Sequence, residues 1–508
     1  MKQSLAIEIM LSGKNVFLTG AAGSGKTFCL NKFIALAKNE GKKISVTATT
    51  GLAATHLGGN TIHAWSGMGI HDFLPQRFFE NISKSRAEII KNTDILIIDE
   101  ISMLHDFRLD MVDEICRRVR DNMEVPFGGI QVILCGDFFQ LPPINRGNSN
   151  GGFVVHSNVW REMDLVICYL EKNFRQNDGA LTEILNAMRA GDLRRRHAES
   201  LLERTEVVPL ENEILTELHT TNIDVDEINI DRLNELEEEE FFFAQTTTGA
   251  KNYVATLQKS VLAPELLRLK KGALVMAVKN SQNRQYVNGS IGEVVDFDPL
   301  TEYPIVKFRN GKTVQMAPET WELRDGDKKR ASISQIPLRL AYAITIHKSQ
   351  GMTLDAARID LRKAFAEGMG YVALSRVRSL DKIYLAGINR TALMVSEEAQ
   401  QIDEVLRAKS WQASEDFSYL NKLAEKREKA NFEPAKKPAK TSSWAEKLEK
   451  MREKYPNAYR PWKFSDDAEL KRLFETGSSL KDMSEALGRH EGSIKMRLQK
   501  HYGEDIIA

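Results

Sequence analysis

The chain is poor in cysteine, with four among 508 residues, at positions 29, 116, 135 and 168. None forms a CxxC pair and each sits among apolar neighbours. Neither a disulfide frame nor a cysteine-based metal site is therefore expected, and the thiols read as buried groups in a reducing compartment. Long apolar runs are missing too. Nothing approaches the roughly 20 residues a bilayer-spanning helix needs, so no membrane partner is expected. Met1-Lys2-Gln3-Ser4 leads straight into an amphipathic segment without a signal-peptide pattern, which points to a cytoplasmic setting. Net charge is absent as well, since 70 Lys and Arg balance 70 Asp and Glu. No overall basic field draws in nucleic acid, so any such site has to come from local motifs. Charge is instead segregated into an acidic cluster at Glu237 to Glu240 and a basic one around Lys436, Lys437 and Lys440. Each alone reads as a solvated loop. Internal repeats are lacking, and neither His63 nor His347 has a Cys or second His at metal-ligand spacing.

What is present is alternation. Val16-Phe17-Leu18, Ile44 to Thr49, Ile95 to Ile98 and Val132 to Leu134 are apolar runs of the kind found in buried parallel strands, with helical spacing between them. This predicts an α/β core. A more polar stretch at 63–92 reads as a small insertion. The texture changes near 272, where short strands flank Asn310-Gly311, a strong hairpin signal. A small β-module is expected at 272–333, inserted between α/β material at 175–271 and 334–410. A helical, basic linker region follows at 411–454. At 455–508, glycine-bearing turns divide apolar stripes into three short helices.

Gly20-Ala21-Ala22-Gly23-Ser24-Gly25-Lys26-Thr27 follows a strand and opens a helix. Glycines let the backbone N–H groups turn toward phosphate oxygens, and a helix N-terminus favours the anion. Lys26 is expected at the β- and γ-phosphates of ATP and Thr27 on Mg²⁺. Asp99-Glu100 ends an apolar strand, where a carboxylate faces the ligand crevice of such a sheet. Asp99 suits the metal and Glu100 the attacking water. Phosphoryl transfer also needs positive charge on the γ-phosphate. Arg175 and Arg376 are candidates, but residue chemistry alone favours a salt bridge for each.

The ordered set of motifs resembles the Pif (petite integration frequency) helicases, in the RecD-like branch of superfamily one. The resemblance runs from about Gln3 to Ala386. It is carried by Thr49-Thr50-Gly51-Leu52-Ala53-Ala54, Gly59-Asn60-Thr61-Ile62-His63, Ile98-Asp99-Glu100-Ile101-Ser102-Met103 and Gly136-Asp137-Phe138-Phe139-Gln140-Leu141-Pro142-Pro143. It continues in Thr345 to Thr353 and Tyr371 to Arg376. The resemblance implies two RecA-like P-loop domains, 1–174 and the two parts of the second, with an SH3-like β-barrel at the insertion. By the same resemblance Gln3 reads adenine, Gln140 senses the γ-phosphate, and Arg175 and Arg376 are arginine fingers. Gly20, Gly23, Ser24, Gly25 and Gly351 line the nucleotide, while Thr50, Gly51, Thr61, His63, His347, Lys348 and Ser349 face DNA. It further implies translocation 5′ to 3′ on single-stranded DNA, and forked or structured DNA as substrate, in replication, recombination, repair or telomere-type maintenance. Eukaryotic members carry long leading extensions whereas the motif glutamine here stands at position 3, so a bacterial-type cytosol or nucleoid is expected.

In the last segment Ser465 reads as a helix N-cap. Lys495 and Arg497 on the third helix suit DNA, giving a helix-turn-helix-like module; the competing reading is a protein-contact domain. Two rival functions remain at this level. One is a P-loop ATPase that remodels a protein partner, and the other a non-enzymatic DNA-binding regulator. The stretch Thr345 to Thr353 argues against the first, and intact Lys26, Glu100 and Gln140 against the second.

Overall fold

A computed structural model describes residues 1–69, 72–74, 77–143, 145, 151–176, 178–209, 215–258, 261–279, 281, 285–286, 288–325, 328–432, 455–457, 462 and 464–502. The basic cluster at 436–440 lies outside them. The chain forms two compact units, Met1–Lys426 and Arg427–Ala508.

The first unit is built on two parallel sheets. Six strands make the first: β1 (Val16–Gly20), β2 (Ile44–Ala48), β3 (Asn60–Thr61), β4 (Ile95–Asp99), β5 (Gln131–Cys135) and β6 (Val166–Leu170). Their order is β3-β2-β4-β5-β1-β6, and every pairing is parallel. β1 and β4 are buried along their whole length, which explains why they read as unbroken apolar runs rather than alternating ones. All four cysteines are buried, as their neighbours predicted. The order sets the phosphate loop after β1, Asp99 at the end of β4 and Gln140 after β5. Three adjacent carboxyl ends therefore converge on one crevice.

The second parallel sheet has the order Ala343–Thr345, Thr216–His219, Ala357–Leu361, Ile383–Ile388. Between its first two strands in sequence lies antiparallel structure. Five strands pair in the order Thr313–Gln315, Pro304–Phe308, Ile291–Phe297, Leu274–Ala277, Leu338–Leu340. The Asn310-Gly311 turn joins the first pair, in register Val306 to Val314. A three-stranded sheet joins Thr246–Gly249 to Lys328–Gln335 and Glu319–Asp325. The antiparallel module carries its own core of Val294, Val306, Phe308 and Leu338. Each such side chain contributes roughly 1.5–3 kcal/mol when fully buried.

In the second unit, helices Phe464–Glu475, Leu480–Leu487 and Glu491–Tyr502 close on Leu470, Met483, Leu487, Ile494 and Leu498. Ser479 caps the second helix in a capping box with Asp482, and Gly488, at φ 59°, ends it. Ser465 lies inside the first helix rather than at its cap, because that helix already begins at Phe464. No helix among the described residues is long and apolar enough to cross a membrane.

Candidate nucleotide cleft and strand-facing residues

Helix Lys26–Asn39 starts directly after Gly25, which sits at φ 85°. That left-handed backbone conformation calls for glycine, and a Cβ there would also displace the Gln3 amide. Gln3 Nε2 donates to the carbonyl of Ser24 at 3.0 Å, which fixes the glutamine against the loop. Lys26 Nζ donates back to the carbonyls of Gly20 (2.8 Å) and Ala21 (3.2 Å). The ammonium is therefore held inside the loop by two neutral oxygens that a phosphate can replace.

A cleft of about 430 Å³ opens there. Gly23, Gly25, Lys26, Thr27, Asp99, Glu100, Gln140, Arg175, Gly351 and Arg376 all line it. Residues remote in sequence are thus brought to one wall and its opposite. Gly20 and Ser24 lie in the same loop, Ser24 buried with a hydroxyl that has no partner among the described residues.

Burial shapes the electrostatics of the cleft. Burial, and then the adjacent Asp99, push the Glu100 carboxyl up to about 7. Glu100 also has φ 53°, an uncommon backbone for a residue with a side chain. Gln350 Nε2 donates to its Oε2 at 2.9 Å. Asp99 is raised as well, burial being the main cause. Across the cleft Arg376 is 1% exposed. Among the described residues its guanidinium donates only to neutral oxygens: Val372 O (2.8 Å), Ser349 O (3.4 Å), Met352 O (3.5 Å) and Ser375 Oγ (2.9 Å). Burial, and then Arg175, pull it down to about 9. Arg175 Nη1 donates to Ser375 O at 3.1 Å. Neither arginine has an ion-pair partner in contact among the described residues, and Glu100 across the cleft is an anion that acts on both. The Gln140 side-chain oxygen is likewise buried without a partner.

The residues expected to face DNA fare unevenly. Thr50 Oγ1 accepts the Ala53 N–H, and Gly51 opens helix Gly51–His56. Thr61 caps helix Ile62–Ser66 through Ala64 N. His63 Nε2 faces Arg108 Nη1 at 3.1 Å, and burial together with Arg108 holds the imidazole down at about 4. It is neutral and accepts there, which leaves only Nδ1 as a donor. Ser349 is a correction: it is fully buried and its hydroxyl donates to Ile346 O at 2.7 Å, so it does not reach a strand. Lys348 is half-buried and lowered by burial and by Arg339. His347 lies nearly parallel to the exposed ring of Phe365. Trp65 is core, 7% exposed. In the terminal unit Lys495 is exposed. Arg497 is engaged within the module. It pairs with Asp467 at 2.5 Å and lies over Trp462, because the module uses it to join its first and third helices. Sequence reasoning missed Gln350, Phe174 and Arg378, which also line the cleft. Gln350 does stand inside the stretch Thr345 to Thr353, and Phe174 directly precedes Arg175.

A phosphate loop, a carboxylate pair and two unpaired arginines between parallel sheets define a P-loop ATPase of the two-domain RecA-like kind. The family model for PIF1-like helicases matches residues 2–194. An ATP-dependent DNA helicase Pif1 of Psychrobacter sp. is 38% identical over 483 residues, covering 83% of this chain and 73% of that protein. One from Bdellovibrio bacteriovorus is 35% identical, covering 78% and 89%. Among solved structures, Bacteroides sp. Pif1 in complex with ADP-AlF4 superposes with a TM-score of 0.70 at 31% identity, covering 80% of this chain and 97% of that one. Bacteroides Pif1 bound to ssDNA gives 0.59 at 32%, covering 80% and 96%. The chain belongs to the PIF1-like helicase family.

Proposed function

We propose that the chain is an ATP-dependent DNA helicase that moves 5′ to 3′ along single-stranded DNA and unwinds duplex ahead of it. The observation that carries the reading is Arg376. A guanidinium sealed from water with no ion-pair partner in contact among the described residues is costly, Glu100 and Asp137 acting on it only at longer range, and here it lines the same cleft as Lys26. The γ-phosphate of a nucleoside triphosphate is the anion that fits. The same cleft suits a divalent cation, since Asp99 and the Thr27 hydroxyl offer hard oxygen donors. Bound Mg²⁺ would neutralise charge on the phosphate oxygens.

The chain's own groups then divide the work. Lys26 exchanges its two loop carbonyls for phosphate oxygens. Glu100, held by Gln350 and raised toward neutrality, accepts the proton of the attacking water. Gln140 turns its amide oxygen to accept from the attacking water, its amide N–H₂ being the group that can donate to the γ-phosphate, and Arg175 and Arg376 take up the charge that develops. Gln350 and Gly351 lie in the stretch that also carries His347 and Lys348. Loss of the γ-phosphate is therefore felt directly beside residues assigned to the strand. Thr50, Gly51, Thr61 and Lys348 supply phosphate contacts, and Lys495 gives the terminal module a basic contact with forked DNA. The setting is a cytosol or nucleoid where such DNA is present.

Duplexes with 5′ and 3′ single-stranded tails, assayed side by side, test this. The 5′-tailed substrate is unwound and the 3′-tailed one is not, while Lys26→Ala unwinds neither and still binds the tail. ATP turnover indifferent to single-stranded DNA would sink the proposal.

A further inference from the structure

Beside the cleft lies a buried polar knot that takes no part in the hydrolytic steps. At its centre is Tyr371, 1% exposed, on helix Met369–Leu374. Its hydroxyl accepts the backbone N–H of Ala22 in the phosphate loop at 3.1 Å. It also accepts Arg189 Nη1 at 3.0 Å and donates to Asp137 Oδ2 at 3.3 Å. One proton and two lone pairs are thus all used. Arg189 in turn donates to both oxygens of Asp137, at 2.8 and 2.9 Å, and to Tyr169 Oη at 2.7 Å. Burial alone would raise the Asp137 carboxyl, but Arg189 and Lys26 outweigh it and hold it below the usual range.

The connections radiate to the parts that line the nucleotide cleft. Ala22 is in the phosphate loop. Asp137 begins the turn that ends at Gln140, and Gln140 N donates to Asp137 O at 3.0 Å. Tyr169 is on β6, which leads to Arg175. Tyr371 itself shares a helix with the carbonyl that anchors Arg376, since Arg376 Nε donates to Val372 O. The end of that helix, Ser375 O, also receives Arg175 and Gln176. Packing alone asks only for the ring, which lies against Phe139. The hydroxyl, by contrast, bridges the two parallel sheets at the loop that grips phosphate.

We propose that Tyr371 is a positioning residue. Its hydroxyl pins the Arg376 helix to the phosphate loop, so that Arg376 and Arg175 reach the γ-phosphate in register with Lys26. This rests on the reading of Arg376 as a γ-phosphate ligand.

Tyr371→Phe keeps the ring and removes the hydroxyl. The expected result is a kcat for DNA-stimulated ATP hydrolysis lowered about tenfold, the scale of one buried hydrogen bond. KM for ATP and affinity for single-stranded DNA stay unchanged, and Tm falls by no more than about 3 °C for a unit of this size. A double-mutant cycle with Arg376→Lys, read with radiolabelled ATP, separates the alternatives. If Tyr371 acts through Arg376, adding Tyr371→Phe to Arg376→Lys costs little further turnover. If Arg376→Lys alone leaves turnover intact, the reading of Arg376 fails, and this inference with it. If Arg376→Lys collapses turnover while Tyr371→Phe leaves kcat untouched, the positioning role alone is overturned. A loss from Tyr371→Phe that adds in full to that of Arg376→Lys, or that comes with a large drop in Tm, assigns the hydroxyl to general stability and also overturns it.

Discussion

Arg189 and Arg376 are both almost sealed from water, and the protein treats them in opposite ways. Arg189 is 5% exposed and is held by Asp137 and Asp403, with the ring of Phe139 4.0 Å from its guanidinium carbon. Arg376 is 1% exposed and among the described residues hydrogen-bonds only to backbone carbonyls and a serine hydroxyl. Arg189 donates to the Tyr371 hydroxyl, and Arg376 to the Val372 carbonyl of the same helix. A buried charge with its counter-charge is structure, and removing one partner leaves the other stranded. A buried charge without one lowers stability, and the fold retains it where a ligand will supply the anion. The carboxylates divide in the same way. Asp137, against Arg189, is held low, whereas Glu100 in the cleft is pushed up to about 7.

The largest expected effect is on turnover. Glu100→Gln keeps the bond to Gln350 in reach but removes the base, and ATP hydrolysis should fall by about a thousandfold or more. The same substitution should stabilise the nucleotide-free and metal-free protein above neutrality. A carboxyl raised by burial favours the fold while protonated. Its contribution is full below the ordinary value of 4.5 and is lost as pH rises through about 7. Thermal melts across that window should therefore slope downward less steeply for Glu100→Gln than for the parent chain; parallel slopes would mean that Glu100 carries no burial strain. Next comes the pair of arginines. Arg189→Met should cost about 3–5 kcal/mol by denaturant unfolding, since Asp137 is left buried and unpaired. Arg376→Met should raise Tm without nucleotide while abolishing hydrolysis. Equal destabilisation by both would erase the distinction between the two arginines. The smallest effect is expected from truncation after residue 431. DNA-stimulated ATPase should persist while affinity for forked DNA changes, and loss of hydrolysis would make the tail part of the motor.

Contiguous chemistry is legible in the sequence. Gly20 to Thr27 states its own turn through its glycines, and the helix behind it through the apolar spacing of Leu30, Phe33, Ile34 and Ala37. Asp99-Glu100 announces itself by ending a strand that is apolar throughout. Asn310-Gly311 places a hairpin where the register then shows one. The three helices of the terminal module follow from stripes broken by glycine. Side-chain direction is not legible in this way. Ser349 and Arg497 stand in motifs or on a face that suit DNA, yet one turns inward to Ile346 O and the other is taken by Asp467. Their partners lie three and thirty residues away, and no pattern of residue types marks which contact is made.

The sequence by itself therefore determined that phosphate is gripped, that a carboxylate pair stands at a strand end, and that the core is layered α/β. Each of these depends on local spacing and backbone preference, which the chain carries in order. Only the tertiary structure decided which arginines are left without an anion, that Gln350 holds Glu100 from 250 residues away, and that one tyrosine hydroxyl joins the phosphate loop to the helix beside Arg376. These depend on burial and on contacts between the two sheets. Desolvation, which gives such groups their chemistry, exists only once the sheets have packed together.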